Sequence, residues 1–424
     1  VNILILGGGG REHAIAWRLS RDPSSTRILV WPGNDGVSGD KLERVDWPFD
    51  REKLARLVTE ARIDLVVPGA EKYLYDGVAD WCRDLGVTCF GPGAAAATLE
   101  KSKLFAKTLM CEAGVPTSPF QDLTGALARG VSDALPLVQA FRKPVIKISG
   151  PSLGKGVFVC GSVAEAADVL RKLAEDPQPG MEDGLLVEEA VSGKEVSMFY
   201  ACAGTDFTYL GSAQDHKRVF DGDAGPNTGG MGAVAPVPWV SEAFIRDVVD
   251  RFVRPTLEIM ANRGTPFSGV LFLGLMVGPE GANLLEYNVR FGDPETQTIL
   301  PLVDGDLSDF LLRFSRGEVT RGLSIHPGAA VHVVKAAKGY PGVFGAPIEK
   351  GQPITGREIA DPAGKLFFAG VKRGPEGLVT NGGRVLGVTA WAPSVAEAIR
   401  DCYARLGDVC FPGEHFRRDI GRNL

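Results

Sequence analysis

Near residue 290 the chain alternates. Leu285, Tyr287, Val289 and Phe291 are apolar while Glu286, Asn288 and Arg290 between them are polar, and a period of two predicts a β-strand running to Phe291 with one face in a core. The opposite face would then carry a carboxylate, an amide and a guanidinium in a row. Oxygen donors with room for water and phosphate suit Mg²⁺, and an arginine beside them suits an anionic carboxylate or phosphate. A solvated sheet face would carry the same residues, and the strand alone does not separate the two readings.

Over residues 1–101, strand-like runs at 2–6, 27–31, 64–67 and 87–90 alternate with helical patterns starting near 11, 51 and 76. Such alternation predicts a doubly wound parallel sheet. A helix should follow Ser102 as its cap and stop at Gly114, ahead of Pro116. From 121 to 190 the pattern turns to strands (145–149, 157–160, 185–189) around one helix capped by Ser162, a small unit that can move as a lid. Strands return at 195–203, 269–277 and 283–291, with helices after Ser241 and Pro294. A linker over 317–328 leads into a strand-rich C-terminal unit. The expected architecture is therefore α/β and α+β multidomain, with boundaries at 1–101, 102–325 and 326–424.

A net charge of −6, from 46 basic and 52 acidic residues, argues against a nucleic-acid binder that lives on phosphate contacts. Anionic small substrates must be met by local arginines and backbone amides. The seven cysteines are dispersed without a C-x-x-C pair, which fits free thiols in a reducing compartment. The chain opens directly on a strand pattern and no apolar run reaches spanning length, so a cytoplasmic protein without membrane segments is expected.

Four segments add chemistry. The glycines of 7–10, followed by Arg11 and Glu12, sit between the first strand and first helix, where free amides bind anions. This is not a dinucleotide fingerprint, because Glu12 holds the third glycine position and no acid ends the second strand. Residues 150–156, Gly-Pro-Ser-Leu-Gly-Lys-Gly, fail the Walker spacing and instead suggest a glycine hairpin able to fold over phosphates. Glu188 to Glu195 joins two strand patterns and could offer a strand edge to a base and a carboxylate to a ribose, though an ordinary acidic turn fits as well. Residues 214–218, Gln-Asp-His-Lys-Arg, read as charges alternating along one strand before the glycine-rich 225–232, or as a solvated charge run. His13 and His332 read as structural.

Taken together, the chain resembles the glycinamide ribonucleotide synthetase family of the ATP-grasp superfamily over essentially its whole length. The resemblance is carried by Gly-Gly-Arg-Glu-His at 9–13, Phe-Gly-Pro at 90–92, Leu-Glu-Lys-Ser-Lys at 99–103 and Gly-Lys-Gly at 154–156. Gln-Asp-His-Lys-Arg at 214–218, Gly-Pro-Asn-Thr-Gly-Gly-Met-Gly at 225–232, Arg-Phe-Gly-Asp-Pro-Glu-Thr-Gln at 290–297, Gly-Tyr-Pro-Gly at 339–342 and Thr-Asn-Gly-Gly-Arg-Val at 380–385 extend it. It implies an ATP-dependent ligase that joins glycine to 5-phosphoribosylamine. ATP would be held by Lys103, Lys147, Gly154, Lys155, Gly156, Glu188, Val191 and Glu195, and Mg²⁺ or Mn²⁺ by Glu286 and Asn288. Glycine would lie near Asp215, Lys217, Arg290 and Asp293, which make up the catalytic set. The phosphoribosyl group would meet Gly9, Gly10 and Arg11, its hydroxyls Glu71, with Gly229, Gly230 and Met231 also against substrate. A monomer or weak homodimer is expected, binding neither nucleic acid nor membrane.

The family's Gly-Pro-Glu-x-Pro-Leu reads Gly-Ala-Glu-Lys-Tyr-Leu at 69–74, and its Lys-Ala-Asp-Gly reads Lys-Ile-Ser-Gly at 147–150. Ala70, Tyr73, Ser149 and Leu153 are the departures. They leave open a paralogous ligase with another amine or amino acid, or a weakly catalytic binding homologue.

Overall fold

In a computed structural model, every residue is described except 153–155, 319, 321, 343–346, 357–362 and 423. Strands β1 (Asn2–Gly7), β2 (Arg27–Pro32), β3 (Leu42–Arg44), β4 (Leu65–Pro68) and β5 (Thr88–Cys89) pair in parallel in the order β3-β2-β1-β4-β5. Ile3, Leu4, Ile5 and Leu6 are all fully buried, because helices cover both faces of a parallel sheet and only the first residue of its central strand, Asn2, is half-buried. The short, largely exposed β3 was not legible in the hydrophobic pattern.

Helix α1 (Gly10–Ser20) begins directly at the end of β1, with Gly9 as its cap. Glycine has no capping side chain, so Glu12 supplies one, its Oε2 accepting from the Gly9 amide at 2.6 Å. The same carboxylate requires Gly69 in the facing loop, where an added Cβ would lie 2.2 Å from Glu12 Oε1.

Ser102 caps the following helix, Lys103–Glu112, accepting from the Phe105 amide. Gly114 follows it with φ +67°, the left-handed stop that favours glycine. The small unit after it is an antiparallel sheet of β6 (Phe120–Asp122), β7 (Pro144–Ile148), β8 (Val157–Val159) and β9 (Leu185–Glu189), in the order β6-β9-β7-β8. Three helices pack on it instead of one. The pair Thr124–Arg129 and Val131–Gln139 is broken by Gly130 and contains Pro136, which hid its helical period.

Strands β10 (Lys194–Ala203) and β11 (Asp206–Asp215), hairpin strands β12 (Arg218–Phe220) and β13 (Ala224–Asn227), then β14 (Gly232–Ala235), β15 (Ser268–Gly278) and β16 (Gly281–Asn288) build the centre. The large sheet runs β16-β15-β10-β11-β14 and continues without a break through Ala329–Ala336, Arg384–Ala392 and Gly364–Phe368. The C-terminal strands thus extend the central sheet instead of forming a separate one.

Two sequence expectations are corrected here. Strand β16 stops at Asn288, and its pairing with β15 shifts register between Gly274 and Leu275, so that Glu286 faces Gly274 while Leu284 faces Leu275. Leu285 is the extra residue of this bulge and is only half-buried, so Leu284 fills the core beside Tyr287. Residues 214–218 are likewise not one strand, since β11 ends at Asp215 and Lys217 lies in the connection to β12.

Candidate active site

Glu286 sits near the end of β16, just past the bulge. Burial raises its pKa, but Lys217, Lys147 and Lys103, arriving from three separate segments, outweigh that and hold it below the ordinary range. Asn288 Nδ2 lies 3.5 Å from Glu286 Oε1, and Asn288 Oδ1 accepts from Arg290 Nη2 at 3.1 Å. A carboxylate and an amide oxygen side by side fit an octahedral hard cation that completes its shell with water and phosphate. No cluster of three or more His, Cys, Asp or Glu suited to a metal occurs among the described residues.

Glu188, at the end of β9, is buried between two lysines. Its Oε1 is 2.5 Å from Lys147 Nζ and its Oε2 is 2.7 Å from Lys107 Nζ. Lys107 also donates to Thr117 Oγ1 at 2.6 Å and Ser118 Oγ at 3.0 Å, so the carboxylate has two cations on it and the Lys107 ammonium is fully hydrogen-bonded. Sequence reading passed over Lys107; its place four residues after Lys103, one helical turn on, was the available signal.

Glu195 begins β10 and is ion-paired with Lys217. Burial would lower the Lys217 ammonium, yet Asp215, Glu195 and Glu286 surround it and raise its pKa. Glu195 moves up instead, chiefly through burial and the neighbouring acids Asp215 and Glu286, against the pull of Lys217. Val191 lies half-buried in the turn between β9 and β10. Lys103 Nζ approaches the Gly150 carbonyl at 3.5 Å. Gly156 precedes β8, while Gly154 and Lys155 fall outside the described residues.

Arg290 leaves the strand and turns back to three carboxylate neighbours. Its Nη2 is 3.1 Å from Glu100 Oε1 and its Nε 3.5 Å from Glu71 Oε2. Glu100 is in turn fixed by the Val289 amide at 2.7 Å. Buried Arg290 Nε makes no hydrogen bond among the described residues, Glu71 Oε2 at 3.5 Å being its ion-pair partner. Glu295 is buried nearby, and burial followed by repulsion from Asp215 pushes its carboxyl up to about 7. Neither Glu100 nor Glu295 was singled out from sequence, although both lie inside quoted motifs.

Arg11 is placed differently from the expectation. Its guanidinium is buried, donating to Glu12 Oε1 at 2.7 Å and the Phe291 carbonyl at 3.1 Å, and lies 3.9 Å from Glu71. It braces the N-terminal unit against the 290s loop. Asp293 is met instead by Arg384 of the C-terminal strand, whose Nη2 donates to Asp293 Oδ2 at 2.9 Å and whose Nη1 donates to the Gly229 carbonyl at 2.7 Å. Gly230, at φ +109°, lets Pro294 approach to where a Cβ would be 2.4 Å from its Cδ. Met231 is fully buried against Val219 and Ala336.

The departures have local explanations. Ser149 is fully buried, and its Oγ accepts from the Leu104 amide at 3.1 Å, helping Ser102 close the start of the Lys103–Glu112 helix. Tyr73 packs edge-on to Phe49 at 4.8 Å in the N-terminal core. Ala70 caps the short Glu71–Tyr75 helix, and Leu153 lies outside the described residues.

A parallel N-terminal sheet, a small antiparallel unit and a larger antiparallel sheet that converge on lysines and a carboxylate–amide pair define an ATP-grasp enzyme. The chain belongs to the phosphoribosylglycinamide synthetase family: that family's N domain matches residues 1–100, its ATP-grasp (A) domain 101–296 and its C domain 330–423. A phosphoribosylamine–glycine ligase of Mesorhizobium japonicum is 41% identical over 427 residues, covering 99% of this chain and 98% of that protein. The crystal structure of phosphoribosylamine–glycine ligase from Thermotoga maritima superposes with a TM-score of 0.84 at 34% identity, covering 99% of this chain and all of that one. The biotin carboxylase domain of Hydrogenobacter thermophilus 2-oxoglutarate carboxylase shares the fold alone, at TM-score 0.71 and 17% identity over 98% of this chain and 91% of that one. No described helix is long and apolar enough to cross a membrane.

Proposed function

We propose that the chain is an ATP-dependent carbon–nitrogen ligase that joins glycine to 5-phosphoribosylamine through glycyl phosphate, a step of purine biosynthesis. The observation that carries this reading is the convergence of Lys103, Lys147 and Lys217 on half-buried Glu286 beside Asn288. Glu286 and Asn288 would hold Mg²⁺ or Mn²⁺, which supplies charge neutralisation on a triphosphate. The three lysines stabilise the negative charge that shifts from the γ-phosphoryl oxygens to the departing ADP. Lys147 is kept pointing inward by Glu188, which Lys107 balances from behind.

Arg290 orients the glycine carboxylate so that one oxygen attacks phosphorus. The amine of phosphoribosylamine then attacks the glycyl carbonyl, inorganic phosphate leaves, and the amine nitrogen gives up a proton. Acyl phosphates hydrolyse readily, so the unit containing β7 and β8 would close over the site and keep water out. In this reading Glu195 and the turn around Val191 face the nucleoside, while Asp215 and Lys217 stand between nucleotide and glycine. The working divisions are 1–101, 102–325 with a lid over about 121–190, and 326–424, in a cytoplasmic monomer or weak homodimer.

The test is ADP release, with glycine and with phosphoribosylamine formed in situ from ribose 5-phosphate and ammonia. Release that needs all three of ATP, glycine and the amine is expected. Release unaffected by omitting glycine removes the reading.

A further inference from the structure

Two lysines share one carboxylate where the helix after Ser102 meets β7 and β9. Lys147 Nζ lies 2.5 Å from Glu188 Oε1 and Lys107 Nζ lies 2.7 Å from Glu188 Oε2, and two ammonium groups against one carboxylate leave the triad with a single surplus positive charge. Burial would raise the Glu188 carboxyl, but Lys147 and then Lys107 outweigh it and hold it below the ordinary carboxylate range.

The two lysines differ in what they have left to give. An ammonium group carries three donors. Lys107 commits all of them, to Glu188, to Thr117 Oγ1 and to Ser118 Oγ, and the Thr117 hydroxyl donates onward to the Leu284 carbonyl of β16 at 2.7 Å. It is anchored from behind and has no donor for a ligand. Lys147 meets Glu188 alone among the described residues, and its charge is felt both by Glu286 and by Lys103. Without Lys107, Glu188 would neutralise Lys147 outright.

We infer that Lys107 is a positioning residue of the nucleotide-phosphate site: it occupies one side of the Glu188 carboxylate and so leaves Lys147 with a net positive charge and two donors for the phosphates of ATP. The surplus charge is presented by Lys147 although Lys107 supplies it. A buried pair is screened much less than a surface one, so a cation one carboxylate behind Lys147 still acts on a phosphate in front of it. The inference rests on the ligase reading for the placement of the phosphates against Lys147; glycine and the amine do not enter it.

Calorimetric titration of the whole protein with ADP and with adenosine, in Mg²⁺ at fixed ionic strength, isolates the phosphate contribution. The charge on the triad then orders the variants. Lys107→Met makes the triad neutral, and ADP affinity should fall about tenfold while adenosine affinity changes by less than about twofold. Glu188→Gln leaves two positive charges and should widen the preference for ADP over adenosine by about threefold or more. The double variant has the wild-type surplus of one, so its preference should return to within about threefold of the wild type although its stability is lower still. A role in folding alone predicts the reverse, with the double variant the poorest binder of ADP. Should Lys107→Met fail to fold, Glu188→Gln carries the test. An unchanged ADP preference in either single variant, or a parallel loss of ADP and adenosine, overturns the inference. The ligase reading stands or falls separately on glycine-dependent ADP release, which these titrations do not measure.

Discussion

Arg384 reaches from the C-terminal extension of the sheet to Asp293, with 2.9 Å between Nη2 and Oδ2, and the same guanidinium holds the Asp293 carbonyl at 3.0 Å. Burial favours the neutral acid, but Arg384 and then Arg11 outweigh it and keep the Asp293 pKa low. Arg384→Met leaves that carboxylate without its main partner. A stability loss of about 2 kcal/mol is expected in urea unfolding, as for a charged hydrogen bond, with turnover falling at least about tenfold because the 290s loop loses its brace. Unchanged kinetics would show that Asp293 needs no such anchor.

Glu286→Ala removes the carboxylate on which the lysines converge. Glycine-dependent ADP release should drop by about two orders of magnitude or more, with the circular dichroism spectrum of the wild type retained. Full turnover in a folded variant would detach β16 from the chemistry.

Lys107→Met takes one cation from Glu188, whose other partner is Lys147. Both Lys107 and Glu188 are almost fully buried, with side-chain exposures of 2% and 3%, so a loss of about 1–3 kcal/mol is expected, Lys147 remaining on the carboxylate. Adding Glu188→Gln should deepen it, because the buried Lys147 ammonium then loses its carboxylate as well. A loss under about 1 kcal/mol in the single variant contradicts a role for Lys107 in holding Glu188.

Glu295, lifted from 4.5 to about 7 by burial and Asp215 against Arg290 and Lys217, makes stability depend on pH. Between those values the folded protein keeps a proton that the unfolded chain has released, so stability falls as pH rises through the window and is level on either side. Glu295→Gln should flatten this slope. Parallel wild-type and variant profiles from pH 5 to 8 would assign the proton elsewhere.

Ser149→Ala deletes the acceptor for the Leu104 amide. About 1 kcal/mol of stability should be lost, with KM for glycine and for the amine unchanged, since this departure closes a helix end instead of shaping a substrate wall. A changed preference among amines would restore the paralogous-ligase alternative.

Where periodicity and caps act locally, sequence was a good guide. The parallel N-terminal strands, the Ser102, Ser162 and Ser241 caps and the Gly114 stop are each fixed by neighbours a few residues away. The bulge at Leu285 was not legible, because an extra residue leaves the alternation of letters intact while turning one side chain. Nor were Glu100 and Lys107, whose roles arise only when the helices after Gly93 and Ser102 lie against β16 and β9. Arg11 reads as an anion ligand because its loop has the right composition, and nothing local shows that its guanidinium also donates to the Phe291 carbonyl, 280 residues away. Arg384 sat in a quoted motif without a role, since nothing local shows that its strand adjoins Asp293.

The unbroken run of strands from β16 to Gly364–Phe368 has a bearing on dissection. Cutting the chain after residue 325 would unzip Ala329–Ala336 from β14 and bare a row of unsatisfied amides and carbonyls, the kind of raw border on which proteins stick to one another. The shortened piece should come out of solution or pair with itself, and the last hundred residues are better regarded as a keel than as a trailer.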